Sequence, residues 1–300
     1  MHTRLVDTVG DNVELYHHDR LLFRYVYISK AQTMESPRPY FHPLRTLGGE
    51  TVTIFRPHDH LWHHGLSMTS AHLSGENFWG GPTYVRDQGY VRLDNNGRTE
   101  HEAWPAIERT DGSARLVERL RWVTQDGRHW LQEQREVEVA AVEPESGHWA
   151  LRLRFRLGNV SGQALDFGSP TTAGRPAAGY GGLFWRGPRE WLGCRIVGAG
   201  SLEGPEAMGR RSPWLALSGR HDGSANASTV VLADHAGNPR HPTKWFVRND
   251  PYACASCAFM FDEEYRLEPD AELALSYLVV IADGEWDRDR IDTCVTALQP

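Results

Sequence analysis

The stretch ALRLRFRL, residues 150–157, alternates apolar residues with arginine over most of its length. Successive side chains of a β-strand point to opposite faces of the sheet, so a period of two predicts a strand with one buried face. The arginines would then face solvent or a neighbouring sheet. We therefore expect a half-buried strand here and an all-β fold built from strands of this kind.

The neighbouring sequence repeats this pattern. Residues 116–124 and 130–139 flank QDGR, residues 125–128, and an Asp-Gly pair between two strand-like segments predicts a β-hairpin. Turns rich in Gly, Pro, Asn and Asp separate the other candidates. The further strand candidates are residues 21–28, 51–55, 195–197, 214–217, 228–232, 257–261 and 273–281.

A helical period occurs mainly in the last stretch, residues 285–298. Trp286, Ile291, Val295 and Leu298 would share one face there, and Asp283 offers a capping carboxylate. No long Pro/Ser/Gly linker divides the chain. The sequence therefore predicts a single domain over residues 1–300, a large antiparallel β-sandwich with a short C-terminal helix.

The composition argues against some classes of binding partner. The 300 residues carry a net charge of -7, eleven tryptophans and four cysteines. An acidic chain without basic runs is a poor partner for nucleic acid or an anionic membrane. No apolar run approaches the roughly 20 residues that span a bilayer, and the N-terminus lacks a signal-peptide pattern. Cys254 and Cys257 form a lone CASC without the second pair of a zinc ribbon, so we expect buried strand residues and a cytoplasmic protein.

The stretch HDHLWHHGL, residues 58–66, is the strongest candidate for chemistry. Four histidines and one carboxylate occupy it: His58, Asp59, His60, His63 and His64. Pro57 before the stretch and Gly65 after it predict a loop that enters a strand. In a regular strand the even-numbered residues would share one face, with Asp59 and His63 on the other, although a loop could bring the histidines together. Three interpretations stay open: a metal site, general acid–base catalysis by one or two histidines, or a hydrogen-bonded polar loop.

Four other stretches combine turn residues, aromatic rings and charged groups. They are RPYFHPLR (38–45), GENFWGG (75–81), YGGLFWR (180–186) and ADHAGNPRHP (233–242). Paired glycines let a flat ring approach the backbone, which is typical of a sugar-stacking surface and equally of a turn anchored by a core aromatic. Adjacent Asp234 and His235 would point to opposite faces unless the chain bends. The motifs of nicotinamide and ATP sites are missing from the sequence.

Taken in order, RPYFHPLRT, HDHLWHHGL, ENFWGG, YGGLFWRGPR and DHAGNPRHPTKWFVRN resemble the bacterial family labelled PmoA-like, over residues 38–249. The family's Asp-His…His-His/Arg-Gly motif would fall on Asp59, His60, His63, His64 and Gly65, with histidine at position 64 where many relatives have arginine. The label implies a membrane monooxygenase, which a chain without apolar spans contradicts. The family is similar in organisation to the galactose-mutarotase-like supersandwich, whose members handle sugars with histidines and carboxylates.

These observations and the resemblance together predict a carbohydrate-active enzyme: an epimerase, lyase or hydrolase acting on a sugar or oxidised sugar. His60 and His63 would be the acid–base residues, with His42 and His235 as partners. The substrate-binding candidates are Arg38, Tyr40, Arg45, Asp59, His64, Trp79, Asp234 and Asn238. The unranked carboxylate candidates are Glu76, Glu100, Glu102 and Glu133. The alternatives are a non-catalytic sugar-binding module and an enzyme whose convergent histidines bind a divalent metal.

Overall fold

The computed structural model describes residues 3–110 and 113–299. Strands dominate, and a single α-helix, α1 (Arg288–Leu298), lies near the C-terminal end of the described chain. In chain order the strands are β1 Thr3–Thr8, β2 Asn12–His17, β3 Arg20–Val26, β4 Tyr40–Leu44, β5 Leu66–Leu73, β6 Glu76–Phe78, β7 Thr83–Val85, β8 Gly89–Val91, β9 Arg98–Thr110, β10 Ser113–Val123, β11 His129–Glu143, β12 His148–Asn159, β13 Leu165–Gly168, β14 Gly182–Arg186, β15 Arg195–Gly198, β16 Trp214–Arg220, β17 Ala227–Asp234, β18 Lys244–Arg248, β19 Cys254–Ala258, β20 Tyr265–Leu267 and β21 Glu272–Asp283. Three short 3-10 helices cover Thr33–Glu35, Arg189–Trp191 and Gly204–Ala207.

Two large antiparallel sheets form most of the described structure. The first sheet has the order β1-β2-β3-β4-β5-β14-β19-β18, with β6, β13 and β20 joined beside β5. The second sheet has the order β15-β16-β17-β21-β12-β11-β10-β9, and β7 and β8 form a separate hairpin. Neighbouring strands pair antiparallel in both sheets. The prediction of a large all-β antiparallel sandwich is confirmed.

Strand β12, which contains ALRLRFRL, lies inside the second sheet between β11 and β21. Its apolar residues Leu151, Leu153 and Phe155 are buried, and the arginines lie on the opposite face. Arg152 donates to Glu138 at 2.8 Å, and Arg154 pairs with Glu138 of the same neighbouring strand at 3.0 Å. The period of two therefore predicts both the strand and its orientation, because only one face meets the core.

The core between the sheets is one apolar cluster that draws side chains from both. Phe23 of the first sheet stacks on Trp149 of the second, with ring centroids 6.1 Å apart, and both belong to the same buried cluster. The single-domain organisation stays a prediction, which this shared core supports.

The C-terminal helix covers the outer face of the second sheet. Ile291 and Val295 pack there with Trp286 against strand residues such as Val280. The helix is capped by Asp287, whose side chain accepts a hydrogen bond from the backbone N–H of Arg290. The prediction of a start near residue 285 is therefore wrong by about one turn. The expected cap, Asp283, ends β21 and accepts from the N–H of Gly48 instead.

Of the remaining local predictions, two are confirmed and one is wrong. The Asp-Gly hairpin is confirmed between β10 and β11, and buried Cys254 and Cys257 both lie on β19. The expected strand at residues 51–55 is wrong, because this segment makes only isolated bridges at Thr51 and Phe55. Its backbone bonds go to different elements: the N–H of Val52 donates to Leu44, and that of Ile54 donates to Arg186.

Candidate functional site

The histidine-rich stretch is a loop of two successive turns. The N–H of His60 donates to the carbonyl of Pro57 at 2.9 Å, and the N–H of His63 donates to that of His60 at 3.0 Å. The imidazoles of His60 and His63 stack with centroids 4.6 Å apart and an interplanar angle of 18°. The stretch is therefore a loop rather than a regular strand, and its turns bring His60 and His63 to the same side.

The stacked imidazoles border a cavity of about 350 Å³. Small-molecule sites commonly measure roughly 300–1,000 Å³, so this volume fits a compact ligand. Aromatic side chains form most of its walls, and we call it the aromatic cavity. Its lining residues are His60, Trp62, His63, Trp79, Gly80, Pro82, Tyr90, Arg175, Tyr180, Phe184, Phe246, Arg248, Pro251 and Tyr252.

The aromatic walls come from segments that are distant in sequence. Trp79 follows β6, and its ring centroid lies 4.5 Å from those of Tyr180 and Phe184, which flank the start of β14. Trp62 packs flat against the backbone at Gly81, where an added Cβ would lie 2.6 Å from the indole ring. Gly81 also has a φ of +69°, which a side chain rarely allows. The paired glycines thus permit an aromatic ring to approach the backbone closely, as the sequence predicts.

Asp59 orients His60. Its carboxylate lies 2.9 Å from Nδ1 of His60, 3.3 Å from Arg186 and 2.7 Å from Arg189. Burial alone would raise the pKa of Asp59, but hydrogen bonds from His60 and Arg189 and the charge of Arg186 hold that pKa well below its usual range. An ionised Asp59 accepts the Nδ1–H of His60, so Nε2 of the same imidazole is left as a proton acceptor.

Both imidazoles of the cavity are neutral at pH 7. Burial lowers the pKa of His60, and this effect exceeds the opposing influence of Asp59. Burial also places the pKa of His63 well below its usual value, with smaller contributions from neighbouring His60 and Arg186. Nδ1 of His63 is buried and has no hydrogen-bond partner within residues 3–110 and 113–299. A neutral imidazole can accept a proton, so the pair is suited to base catalysis.

The charged groups of the cavity are positive. Its described lining residues include the arginines Arg175 and Arg248 and no carboxylate. Arg175 donates to the hydroxyl of Tyr90, and that hydroxyl lies 2.9 Å from the hydroxyl of Tyr180. Behind the wall, the guanidinium of buried Arg186 lies 3.6 Å from the ring centroid of Tyr252.

Several residues predicted to bind substrate instead support the loop from behind. Buried Arg38 donates to the carbonyls of Glu35, Ser36, Trp62 and Trp79 and to the hydroxyl of Ser67. These bonds tie the histidine loop to the end of β6. They also leave the guanidinium of Arg38 no free pair of N–H donors for a ligand. It is therefore better placed to fix the walls than to bind a sugar.

His64 and Tyr40 lie beside this support. Nε2 of His64 lies 3.2 Å from Oε2 of Glu35. The two carboxylate oxygens of Glu35 also accept one hydrogen bond each from Arg56, at 2.8 and 2.9 Å. Tyr40 stacks on Phe55 with centroids 4.8 Å apart. Neither residue lines the aromatic cavity.

The expected partners His42 and His235 are not brought to His60 and His63. Nδ1 of His42 lies 3.0 Å from the hydroxyl of Thr53, and burial lowers the pKa of His42 to about 4. His235 lines a different cavity, of about 260 Å³, on the second sheet. Arg45, which lies three residues after His42, lines a separate open groove and not the aromatic cavity.

Asp234 and Asn238 form a buried turn beside β17. Asp234 accepts hydrogen bonds from Asn238 at 2.7 Å and from the N–H of Thr243 at 2.8 Å, and it lies 2.8 Å from Nδ1 of His241. As the alternation predicts, Asp234 does not pair with adjacent His235. Burial raises the pKa of Asp234 despite these contacts. The arrangement closes a turn rather than facing the aromatic cavity.

The four carboxylate candidates all lie outside the cavity lining. Glu133 is buried and accepts from Arg135 at 2.7 Å and from the indole of Trp122 at 2.6 Å. Glu100 accepts from Arg121, Glu102 from Gln132, and Glu76 from the N–H of Gln125. Within the described ranges, no group of three or more His, Cys, Asp or Glu residues is arranged to hold a metal ion.

Sequence reasoning did not single out Tyr90, Arg175 or Tyr252. Each is an isolated aromatic or charged residue in a turn or hairpin, and no local pattern marks it. Phe246 and Arg248 carried a usable signal, because they alternate on β18 and so project to one face. That face is the one that lines the cavity.

A family model described as "Family of unknown function (DUF6807)" matches residues 12–296. The chain belongs to this family. The resemblance to the PmoA-like family is therefore wrong, since the match is to this model and no PmoA family is found. The search of curated proteins finds no match. No helix in the described part of the chain is long and apolar enough to cross a membrane.

Solved structures of low similarity align over nearly the whole chain. A galactose 1-epimerase from Lactobacillus acidophilus is 9% identical with a TM-score of 0.43, covering 95% of this chain and 100% of its own. An α-galactosidase from Lactobacillus brevis is 11% identical with a TM-score of 0.40, covering 94% of this chain and 39% of its own. A GH36 α-galactosidase from Geobacillus stearothermophilus, in complex with raffinose, is 11% identical with a TM-score of 0.37, covering 94% and 41%. The chain thus spans about two fifths of either α-galactosidase.

Proposed function

We propose that this protein is a carbohydrate-active enzyme in which His60 is the general base for a sugar held in the aromatic cavity. The observation that carries the proposal is the contact of 2.9 Å between Asp59 and Nδ1 of His60, at the border of a cavity of about 350 Å³. A carboxylate that holds one nitrogen of an imidazole directs the other nitrogen toward the ligand.

The walls suit a sugar. Trp62, Trp79 and Tyr252 line the cavity. Aromatic rings pack against the apolar C–H faces of sugar rings while polar groups at the edge bind hydroxyls. Tyr90, Tyr180 and Arg175 supply such polar groups at one side of the cavity.

The absence of a carboxylate among the described lining residues favours epimerase or lyase chemistry over glycoside hydrolysis. Glycosidases generally use two carboxyl groups on either side of the glycosidic bond. Here His60 would take a proton from the sugar on Nε2, and ionised Asp59 would stabilise the imidazolium that forms. Neutral His63 lies stacked on the same wall and keeps a second imidazole next to the reacting group.

The test is turnover of a panel of neutral and oxidised sugars, followed by NMR, with wild type, His60→Gln and Asp59→Asn. Since a positioned general base contributes about 10²- to 10⁴-fold, His60→Gln should lower kcat by at least 100-fold. His129→Ala, at an exposed histidine outside the cavity, is the matched control and should leave kcat unchanged. Full activity in a folded His60→Gln protein would remove His60 from the mechanism.

The second candidate is a non-catalytic sugar-binding module, which the dense aromatic lining favours. Such a module would bind a sugar from the panel without altering it. Its affinity would also stay flat between about pH 5 and 8, because no histidine would need a particular protonation state.

A further inference from the structure

Arg248 is a charged residue of the aromatic cavity that the proposed base chemistry does not use. It ends β18, is half-buried, and its guanidinium carbon lies 5.2 Å from the ring centroid of Phe246. In the described part of the chain its guanidinium makes no hydrogen bond or ion pair. Arg175, the other arginine of the lining, already donates to Tyr90. Arg248 therefore keeps its donors available on the cavity wall.

The surroundings of Arg248 are positive as well. Arg186 is fully buried, and its Nε and Nη1 atoms have no hydrogen-bond partner in the described ranges. Asp59 is the one acid in residues 58–66, and it is shared by Arg186, Arg189 and His60. Burial is the main cause of the lowered pKa of His60, and the charges of Arg186 and Arg248 lower it further. A positive cavity in a chain of net charge -7 indicates selection of an anion.

We infer that the substrate is a sugar carrying a carboxylate, such as a hexuronate, and that Arg248 pairs with this carboxylate. The inference rests on the proposed function and names its substrate class. A guanidinium fork matches the two oxygens of a carboxylate and binds them in a bidentate manner. The aromatic walls would hold the ring of the same sugar.

This pairing also explains how an imidazole could act as the base. Nε2 of His60 takes the proton from the carbon next to the carboxylate, and the electron pair of that C–H bond moves into the carboxylate to form an enediolate. Arg248 offsets the added negative charge. A proton delivered from water to the opposite face of the carbon gives the epimer, and the imidazolium of His60 releases its proton to water. Alternatively, the electron pair forms a C=C bond as the C–O bond at the next carbon breaks, the leaving oxygen takes the proton from the imidazolium of His60, and an unsaturated sugar forms. Neither outcome needs an oxidant or a metal.

The first arm of the test is calorimetric binding of glucuronate and galacturonate, with glucose, galactose and their 6-phosphates as comparisons. The proteins are wild type, Arg248→Gln, Arg248→Lys and the control Arg156→Gln, whose arginine pairs with Glu272 outside the cavity. A hydrogen-bonded ion pair contributes about 1.5–3 kcal/mol, so Arg248→Gln should weaken uronate binding about 10- to 100-fold. Arg248→Lys should restore only part of the loss, because lysine keeps the charge without the fork.

The second arm measures exchange of the C5 hydrogen of the uronates in D₂O by NMR. Wild type should exchange it, and both His60→Gln and Arg248→Gln should reduce the rate at least tenfold. Neutral sugars bound and turned over as well as uronates, with no effect of Arg248→Gln, would overturn the inference and leave the proposed function standing. Tighter binding of the phosphates would overturn the carboxylate assignment. If no sugar binds, both proposals fall.

Discussion

Replacing Glu35 by Gln should loosen the histidine loop and make the protein less stable at neutral pH. The Glu35 side chain is fully buried and accepts two N–H bonds from Arg56, and its Oε2 lies 3.2 Å from Nε2 of His64. Arg56 and His64 stand at the two ends of the loop that holds His60 and His63. Glutamine offers one oxygen in place of two and adds an N–H₂ that faces other donors. The substitution therefore breaks contacts at both ends of the loop.

The magnitude follows from the pKa of Glu35. Burial alone would raise that pKa, but hydrogen bonds from His64 and Arg56 outweigh it and lower the pKa from 4.5 to about 2. A shift of this size corresponds to about 3 kcal/mol at 1.36 kcal/mol per pKa unit. The Arg56 side chain is 40% exposed, so water replaces part of its interaction with Glu35. We expect Glu35→Gln to lower the free energy of unfolding by about 2–3 kcal/mol at pH 7.

The dependence on pH has a definite sign. Because the folded-state pKa of Glu35 lies below the unfolded value, the unfolded chain binds more protons between pH 4.5 and 2. The contribution of Glu35 is therefore complete above pH 4.5 and is lost as the pH falls through 2. Burial lowers the pKa of His42 to about 4, so the stability of wild type and variant alike also falls as the pH drops from 6.5 to 4. Burial also lowers the pKa of His64, but Glu35 raises it, so the variant lowers this pKa further.

The assay is urea unfolding followed by tryptophan fluorescence at several pH values from 7 to 2.5. Glu268→Gln is the matched control, because Glu268 is exposed and pairs with Arg266 at the surface; it should change stability by less than about 0.5 kcal/mol. The difference between wild type and Glu35→Gln should shrink as the pH approaches 2.5. A difference below 0.5 kcal/mol at pH 7, or one that is equal at pH 7 and 2.5, would refute the reasoning.

Three further predictions concern the core and the cavity. Arg135→Met leaves buried Glu133 without the partner 2.7 Å away and removes a donor 3.0 Å from the hydroxyl of Tyr25, so urea unfolding should show a loss of about 3–5 kcal/mol; a loss under 1 kcal/mol would contradict this. Trp62→Ala removes one aromatic wall of the cavity, and calorimetry should record about a tenfold weaker affinity for any bound sugar; unchanged affinity would place the ligand elsewhere. Activity should hold at pH 7–8 and fall as the pH drops below 6.5 through the lowered pKa of His60, and Asp59→Asn should move this acid limb to lower pH, because Asp59 raises the pKa of His60; an unshifted limb would show that another group titrates.

Local periodicity predicted the strands but not where their ends meet. The alternation in β12 and the Asp-Gly turn before β11 are properties of neighbouring residues, and both are confirmed. Alternation gave no answer for His60 and His63, because they lie in a loop. Two turn hydrogen bonds, from the N–H of His60 to Pro57 and from the N–H of His63 to His60, place their imidazoles together. Alternation is informative only where a ladder keeps the chain extended.

The candidate site was likewise only partly predictable from the sequence. The histidine stretch, Trp79 and the paired glycines were visible in the sequence, and they lie together at the aromatic cavity. Arg38 was also visible, but its donors are used by backbone carbonyls. The sequence does not show whether an arginine faces a ligand or a backbone carbonyl, because that depends on which groups the fold places around it.

The sequence by itself determined many of the longer strands, the antiparallel sandwich and the place in the chain where the imidazoles concentrate. These follow from spacing over a few residues, where covalent geometry fixes the direction of each side chain. Only the tertiary structure decided that Tyr252, Phe246 and Arg248 join His60 and His63, and that His42 and His235 do not. Packing two sheets around one core brings together segments nearly 200 residues apart in the sequence, and no local pattern encodes that contact.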